Sequence, residues 1–233
     1  MQIAVVCPFM KPVSIGYAEG IIEHLMGLKI KVIVDEQLHA GLENLPLKEQ
    51  LSVFKSLDRN TDFLICIGGD GSMLQAVTKV KNSDVPILGI NTGRLGFLTS
   101  LQKESLNKGL QALWEKKYSL IKRTLLEVRL EQQQSLLGEF PYALNEISVS
   151  RKDTASLIGI NARLNNQALT TYWADGLIVT TPTGSTGYNL SSGGPIVLPD
   201  TPALVMTPIA PHNLNIRPFD IAMSSPKILL WYR

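Results

Sequence analysis

The sequence contains few of the residues on which several classes of protein depend. It has 2 cysteines and 3 histidines in 233 residues, and neither set has the spacing of a metal site or of a disulfide framework. Cys7 and Cys66 both lie in apolar segments, so we expect them to be small residues of the core. His24 and His39 have no serine, cysteine or carboxylate partner at a suggestive position, which leaves a catalytic triad without support.

Charge of one sign and long apolar runs are equally scarce. The formal net charge is +2 and the 22 lysines and arginines are scattered, so a nucleic-acid or membrane-surface partner is not indicated. No apolar run approaches the roughly 18 residues that span a bilayer, and the first residues are typical of a core strand rather than of a signal peptide. We therefore expect a cytoplasmic protein that holds any anionic substrate in a local site.

The sequence does contain two regions whose hydrophobic patterns differ. In residues 1–117, apolar strand-like segments alternate with helical ones, with strands predicted at 3–7, 31–34, 63–67 and 85–90 and helices at 17–26 and 73–80. Uninterrupted apolar strands between helices are typical of a parallel sheet that is covered on both faces. This region therefore predicts a Rossmann-like α/β domain.

Residues 118–233 predict a mostly antiparallel, β-rich domain. Strands are predicted at 119–130, 142–150, 158–164, 177–181, 204–206 and 228–232. Asn165 and Asn166 follow a strand of period two and favour a tight hairpin turn, because asparagine tolerates positive φ. The three tryptophans, Trp114, Trp173 and Trp231, lie in apolar segments and are predicted to belong to the core.

The most informative segment joins a predicted buried strand to a predicted helix through Gly-Gly-Asp-Gly at residues 68–71. Glycine permits a sharp turn and exposes backbone N–H groups, and a helix N-terminus favours anions, so the loop is a candidate phosphate cradle. It matches neither the P-loop nor the dinucleotide fingerprint. Asp70 would be repelled by a phosphate unless it accepts a proton from an attacking hydroxyl or helps to hold Mg²⁺; the alternative is a helix N-cap.

A second unusual segment follows the predicted strand at 177–181 and reads Thr-Pro-Thr-Gly-Ser-Thr-Gly-Tyr at residues 181–188. Small hydroxyls and exposed amides can bind ribose hydroxyls and phosphates without adding charge, and Tyr188 can stack on a ligand or hydrogen-bond to it. The alternative is an ordinary turn-rich connection between strands.

Together these segments resemble the NAD kinase family. The resemblance is carried in order by Gly-Gly-Asp-Gly at 68–71, Asn-Thr-Gly-Arg-Leu-Gly-Phe at 91–97, Asn-Glu at 145–146 and the segment from Asp175 to Tyr188, and it covers about residues 60–218. The first motif alone is weak, because lipid kinases and phosphofructokinases have a similar one. The sequence departs from the family pattern at Ser72, where threonine is commoner, and at Gly187, where alanine is common. It also differs at the C-terminal end, where the further segment of family members is absent or short.

The resemblance implies a role for each matching residue. Asp70 would be the catalytic carboxylate that acts on the adenosine-ribose 2′-hydroxyl of NAD, with Gly71 shaping its loop, Ser72 near the phosphates and Phe97 lining the adenine side. Asp175 would bind the nicotinamide side, across a subunit interface. The residues implied in binding the adenosine and pyrophosphate parts of NAD are Asn145, Glu146, Thr183, Thr186, Gly187, Tyr188 and Ser191.

The implied enzyme is an ATP- or polyphosphate-dependent NAD kinase that forms NADP, uses a divalent cation such as Mg²⁺ and assembles as a homodimer or homotetramer. Residues 1–117 would be its catalytic-loop domain and residues 118–233 its NAD-binding domain. Two alternatives stay open from the sequence: a lipid kinase of the same superfamily and a non-catalytic dinucleotide-binding module. Arg94 has two interpretations: it contacts a donor phosphate, or it is a solvated side chain of a loop.

Overall fold

The computed structural model describes residues 1–93, 96–102, 105–153, 156–213, 215–222 and 226–232. Arg94 therefore lies outside the described residues. The chain forms two compact units, Met1–Leu120 and Ile121–Arg233.

The first unit is a parallel sheet between helices. Its strands are β1 (Gln2–Val6), β2 (Lys31–Asp35), β3 (Ser52–Phe54), β4 (Phe63–Ile67), β5 (Ile87–Asn91) and β6 (Leu101–Gln102). Its helices are α1 (Pro12–Gly27), α2 (Glu36–Gly41), α3 (Asp70–Val80) and α4 (Leu106–Trp114), with a 3₁₀ turn at Lys48–Gln50. Side chains of β4 alternate between two cores: Ile65 and Ile67 pack in one and Leu64 and Cys66 in the other, so both faces of the sheet are covered.

The strand order of this sheet is β3-β2-β1-β4-β5-β6, with every pair parallel. The order reverses between β1 and β4, and the crevice outside the carboxyl ends of the strands at such a point is the usual ligand site of open α/β sheets. The chain leaves β4 there through the loop that begins at Gly68.

The second unit is built from antiparallel strands. They are β7 (Leu126–Glu127), β8 (Tyr142–Ala143), β9 (Glu146–Ser150), β10 (Ile158–Leu164), β11 (Gln167–Ala174), β12 (Gly176–Thr180), β13 (Ala203–Ile209), β14 (Phe219–Ala222) and β15 (Ile228–Tyr232). Helix α5 (Tyr188–Ser191) and two 3₁₀ turns, Gln134–Leu137 and Thr183–Thr186, complete the unit. The sheets have the orders β14-β13-β12-β9, β11-β10-β15 and β7-β8, and Ile160, Tyr172, Leu177 and Met206 are buried between them in one core.

The predicted fold class is confirmed: a parallel α/β unit is followed by a mostly antiparallel one. The hairpin at Asn165-Asn166 is also confirmed, because both residues have positive φ, 50° and 68°, between β10 and β11. Cys7 and Cys66 are buried free thiols, and burial raises their pKa values to about 11 and about 12. Among the described residues, no helix is both long enough and apolar enough to cross a membrane.

Two predictions about apolar segments are wrong. Of the strand predicted at 119–130, only Leu126–Glu127 pairs with a neighbour, while Leu120 and Ile121 are exposed; strand propensity without a partner ladder does not make a strand. The tryptophans are not core residues, because Trp114, Trp173 and Trp231 are all exposed. Apolar neighbours in sequence do not reveal which face of an element a side chain occupies.

Candidate active site

The Gly68–Gly71 loop follows β4 at the reversal point of the parallel sheet. Gly68 has φ +142°, a conformation that side chains rarely adopt, and a Cβ at this position would collide with the hydroxyl of Ser72. Ser72 is itself buried in the first turn of α3. The glycine therefore lets the backbone of the loop close tightly over the start of the helix.

Asp70 is the first residue of α3, and the residue that caps the helix is Gly69. The carboxylate of Asp70 instead accepts hydrogen bonds from a neighbouring loop: the N–H of Phe97 donates to Oδ2 at 2.8 Å and the N–H of Leu98 donates to Oδ1 at 3.0 Å. The N-cap interpretation of Asp70 is therefore wrong. The structure presents a half-buried carboxylate whose two oxygens are both held by backbone amides at the carboxyl edge of the sheet.

Two further residues that the sequence did not assign lie beside the Gly68–Gly71 loop. Gly96 packs directly against the carboxylate, because a Cβ at Gly96 would overlap the Asp70 carboxyl group. The exposed ring of Phe9, which follows β1, lies 3.4 Å from the position that a Cβ of Gly71 would take. Gly96 belongs to the motif at residues 91–97, and a glycine between apolar residues can indicate that another group approaches the backbone closely.

In the second unit, the backbone of Asn145 anchors the hydroxyl-rich loop. Its carbonyl accepts from the N–H of Thr181 at 2.9 Å and from the hydroxyl of Thr180 at 3.0 Å. A Cβ at Gly184 would collide with the Asn145 backbone, so this position accommodates only glycine without rearrangement. The Asn145-Glu146 pair and the 3₁₀ turn Thr183–Thr186 are thereby brought together, as the resemblance requires.

Two buried oxygens of this region lack a hydrogen-bond partner within the described residues: Oε2 of Glu146 and Oγ1 of Thr183. Burial raises the pKa of the Glu146 carboxyl above its ordinary value. Oε2 of Glu146 lies 3.4 Å from the place that a Cβ of Gly187 would occupy, and the Asn145 amide lies 4.0 Å from it. Gly187 is exposed, so the buried carboxyl oxygen of Glu146 lies directly beneath a surface position that carries no side chain.

A buried polar network that the sequence did not predict fixes the shape of the loop. The Asn189 amide donates to the carbonyls of Ser185 and Pro195 at 3.0 and 2.9 Å, and its oxygen accepts from the Thr207 hydroxyl at 2.6 Å. Gly194 is needed beside it, because a Cβ there would collide with the Asn189 side chain. Both polar atoms of this side chain are bonded inside the protein, so the side chain shapes the loop rather than meeting a ligand.

The remaining predicted contacts lie on the surface of the unit. Tyr188 is 45% exposed, Thr186 is partly exposed, and the hydroxyl of exposed Ser191 donates to the Tyr188 carbonyl at 3.0 Å. Asp175 is not brought together with them. It precedes β12, whereas the loop follows β12, a separation of about 16 Å along this five-residue strand.

Asp175 forms an ion pair with Arg151, with 3.0 Å between Oδ2 and Nη2. Its contact with a ligand therefore stays a prediction.

No group of three or more His, Cys, Asp or Glu side chains converges in the part of the chain that the structure describes. A cavity of about 260 Å³ in the first unit is lined by Phe63, Ile87 and Leu101, the first residues of β4, β5 and β6. It therefore lies at the opposite edge of the sheet from the Gly68–Gly71 loop and is not part of the candidate site.

Comparisons with known proteins show to which family the chain is similar. The family model described as ATP-NAD kinase N-terminal domain matches residues 3–118, and the ATP-NAD kinase C-terminal domain matches residues 144–230. The chain is 47% identical to an NAD kinase of Flavobacterium psychrophilum over 225 residues, covering 95% of this chain and 76% of that protein. It is 44% identical to an NAD kinase of Christiangramia forsetii, with the same coverage of both chains.

Solved structures give the same result. The chain matches the crystal structure of yeast NADH kinase complexed with NADH with a TM-score of 0.83 and 30% identity, over 98% of this chain and 71% of that one. It matches an NAD kinase from Archaeoglobus fulgidus in complex with ATP with a TM-score of 0.75 and 29% identity, over 100% of this chain and 81% of that one. With both family models covering most of its length, the chain belongs to the ATP-NAD kinase family.

Proposed function

We propose that this protein is an NAD kinase that transfers the terminal phosphoryl group of ATP to the adenosine-ribose 2′-hydroxyl of NAD. The observation that carries the proposal is the Asp70 carboxylate, which stands at an amide-rich helix start and is held by two N–H groups from another loop. Family membership and relatives that are named NAD kinases support the same activity.

Asp70 orients the 2′-hydroxyl and accepts its proton as the new O–P bond forms. Phosphoryl transfer requires positioning and charge neutralisation more than covalent catalysis, so a single well-placed carboxylate suffices as the base. The backbone amides of the Gly68–Gly71 loop and the start of α3 favour the donor phosphates.

The second unit binds the dinucleotide. Glu146 and Thr183 each offer a buried oxygen without a partner among the described residues, and a ribose hydroxyl or a base amine would satisfy them. Asn145 and Gly187 lie beside Glu146, Tyr188 offers an exposed ring, and Thr186 and Ser191 offer hydroxyls. Phe97 lines the adenine side, and Asp175 meets the nicotinamide side of a dinucleotide across a homodimer or homotetramer interface.

ATP is the proposed donor, because the Archaeoglobus relative was solved in complex with ATP. Polyphosphate is the alternative donor. Mg²⁺ is bound in such sites by one or two carboxylates together with substrate phosphates, and the Asp70 carboxylate would supply such a ligand. Each oxygen of Asp70 accepts one N–H bond and retains a lone pair for a metal ion. Bound Mg²⁺ would offset the charge of the donor phosphates.

The test is an NADP-formation assay on the purified full chain with Mg²⁺, in which donor and acceptor are omitted in turn. ATP and polyphosphate serve as donors, NAD and NADH as acceptors, and the 2′-deoxyadenosine analogue of NAD as the matched control. We expect NADP only when both substrates are present and no product from the 2′-deoxy analogue. A phosphorylated 2′-deoxy analogue would contradict the proposal.

Two further measurements, diacylglycerol as an acceptor in this assay and calorimetry with NAD, address the two alternatives. A lipid kinase would phosphorylate diacylglycerol in place of NAD, and the family models and relatives do not favour it. A non-catalytic module would bind NAD in calorimetry and yet form no NADP with either donor. That result would replace the proposed function.

A further inference from the structure

The loop that follows β5 holds the carboxylate of Asp70 through two backbone N–H groups. The N–H groups of Phe97 and Leu98 donate to different oxygens of the same carboxyl group, at 2.8 and 3.0 Å. Two bonds to two oxygens fix both the position and the rotation of a carboxylate, which one bond does not. Asp70 follows β4, whereas Phe97 and Leu98 lie in the loop after β5, 27 and 28 positions further along the sequence.

Gly96 makes this approach possible. A Cβ at position 96 would overlap the Asp70 carboxyl group, so any side chain here must push the carboxylate or the loop away. The requirement that the structure shows at Gly96 is one of space beside the carboxylate. The group that a Cβ at Gly96 would displace is the proposed catalytic carboxylate itself, not a side chain remote from the reaction.

We infer that Gly96 is a positioning residue for phosphoryl transfer, and that the amides of Phe97 and Leu98 form a clamp that holds Asp70 in its catalytic orientation. The inference rests on the proposed function, because it assigns Asp70 as the base. As a consequence, the backbone and the side chains of this loop have different roles. The backbone of residues 96–98 sets the turnover rate, whereas the exposed ring of Phe97 contributes to binding.

The kinetic test compares three variants of the full chain. Gly96→Ala should lower turnover about 10²-fold without changing the dissociation constant of NAD, since a misplacement of about 1 Å has that effect on a catalytic group. Phe97→Ala keeps its N–H and loses its ring, so KM for NAD should rise about tenfold while turnover at saturation is retained. Gly93→Ala in the same loop is the matched control, because among the described residues its Cβ would meet nothing closer than Asn91 Oδ1 at 3.9 Å.

A double-mutant cycle shows whether Gly96 acts through Asp70. In an Asp70→Ala background the added methyl group of Gly96→Ala has no carboxylate to displace, so it should cause no further loss of turnover or of melting temperature. If Gly96→Ala alone fails to fold, the double variant should fold. An equal loss in both backgrounds, a double variant that does not fold, or a Gly96→Ala variant with wild-type turnover would overturn the inference.

Amide hydrogen exchange tests the clamp without reference to activity. The N–H groups of Phe97 and Leu98 should be protected in the wild type and should exchange faster in both Asp70→Ala and Gly96→Ala, while the amides of β5 itself are unchanged. Equal exchange of these two amides in all three proteins would overturn the inference even if the wild type made no NADP. Absence of NADP formation with normal protection would instead overturn the proposed function alone.

Discussion

Two buried oxygens in the second unit carry the clearest information at the scale of single residues. Oε2 of Glu146 and Oγ1 of Thr183 have no partner among the described residues, although a buried polar atom without a partner costs about 1–3 kcal/mol of stability. An unpartnered buried oxygen of this kind is expected at a binding site, where a bound ligand supplies the missing hydrogen bond. Stability and binding should therefore respond in opposite directions when these oxygens are replaced.

Replacing Thr183 by valine tests this for the hydroxyl. Valine has the same shape and no orphaned oxygen, so we expect the free energy of unfolding to rise by about 1 kcal/mol, while affinity for NAD falls. Urea unfolding and calorimetry measure the two effects. Thr207→Val is the matched control, since its hydroxyl is bonded to Asn189 and its loss should destabilise the fold by about 1–3 kcal/mol. A destabilised Thr183→Val variant with unchanged affinity would contradict the assignment.

The carboxyl of Glu146 gives a prediction about pH. Its pKa in the folded protein is raised above the ordinary 4.5, so the protonated form favours folding, and stability is lost as pH rises from the unfolded value through the folded one. Glu146→Gln removes this ionisation. We therefore expect the melting temperature of Glu146→Gln to exceed that of the wild type above this window, with the difference shrinking as pH falls below it. Thermal melts across acidic and neutral pH measure this, and a pH-independent difference would contradict it.

At the scale of elements, the side chain of Asn189 joins several parts of the loop between β12 and β13. The Asn189 side chain bridges the carbonyls of Ser185 and Pro195 and the hydroxyl of Thr207 on β13, so it connects the turn, the helix α5 and a central strand. Since short turns of this kind have little stability of their own, the network determines the loop's shape. The proposed dinucleotide contacts at Thr183, Thr186, Tyr188 and Ser191 would depend on this shape.

Replacing Asn189 by alanine should therefore destabilise the protein by about 3 kcal/mol, because three buried partners lose their bonds together. Urea unfolding measures this. Exposed Asn107 on α4 provides the matched control, and Asn107→Ala should change stability by less than about 0.5 kcal/mol. Equal unfolding midpoints for the two variants would show that the network is not needed.

At the scale of the whole molecule, the sequence predicted the order and type of the main elements. Buried strands such as β4 and the alternating strand β10 have patterns that reflect local burial, and the asparagine pair between β10 and β11 encodes its own turn. The strand predicted at 119–130 was wrong, because a strand also needs a neighbouring strand to pair with. The pattern of one segment does not show whether such a neighbour exists.

The candidate site was predictable as a set of motifs but not as a set of contacts. The sequence pointed to Asp70, Asn145 and Glu146, yet the bonds from Phe97 and Leu98 to Asp70 join residues 27 and 28 positions apart and follow only from the packing of two loops. The role of Gly96 likewise depends on what lies against it in space. Sequence patterns identify chemical groups, whereas tertiary structure determines which of them meet.

The most direct measurement is turnover of NAD by the wild type and by Asp70→Asn, with the dissociation constant of NAD determined for both. We predict that the substitution lowers turnover by about 10²–10⁴-fold, the usual contribution of a general base, while NAD binding largely survives. An Asp70→Asn variant that forms NADP as fast as the wild type would contradict the assignment of this carboxylate and the mechanism built on it.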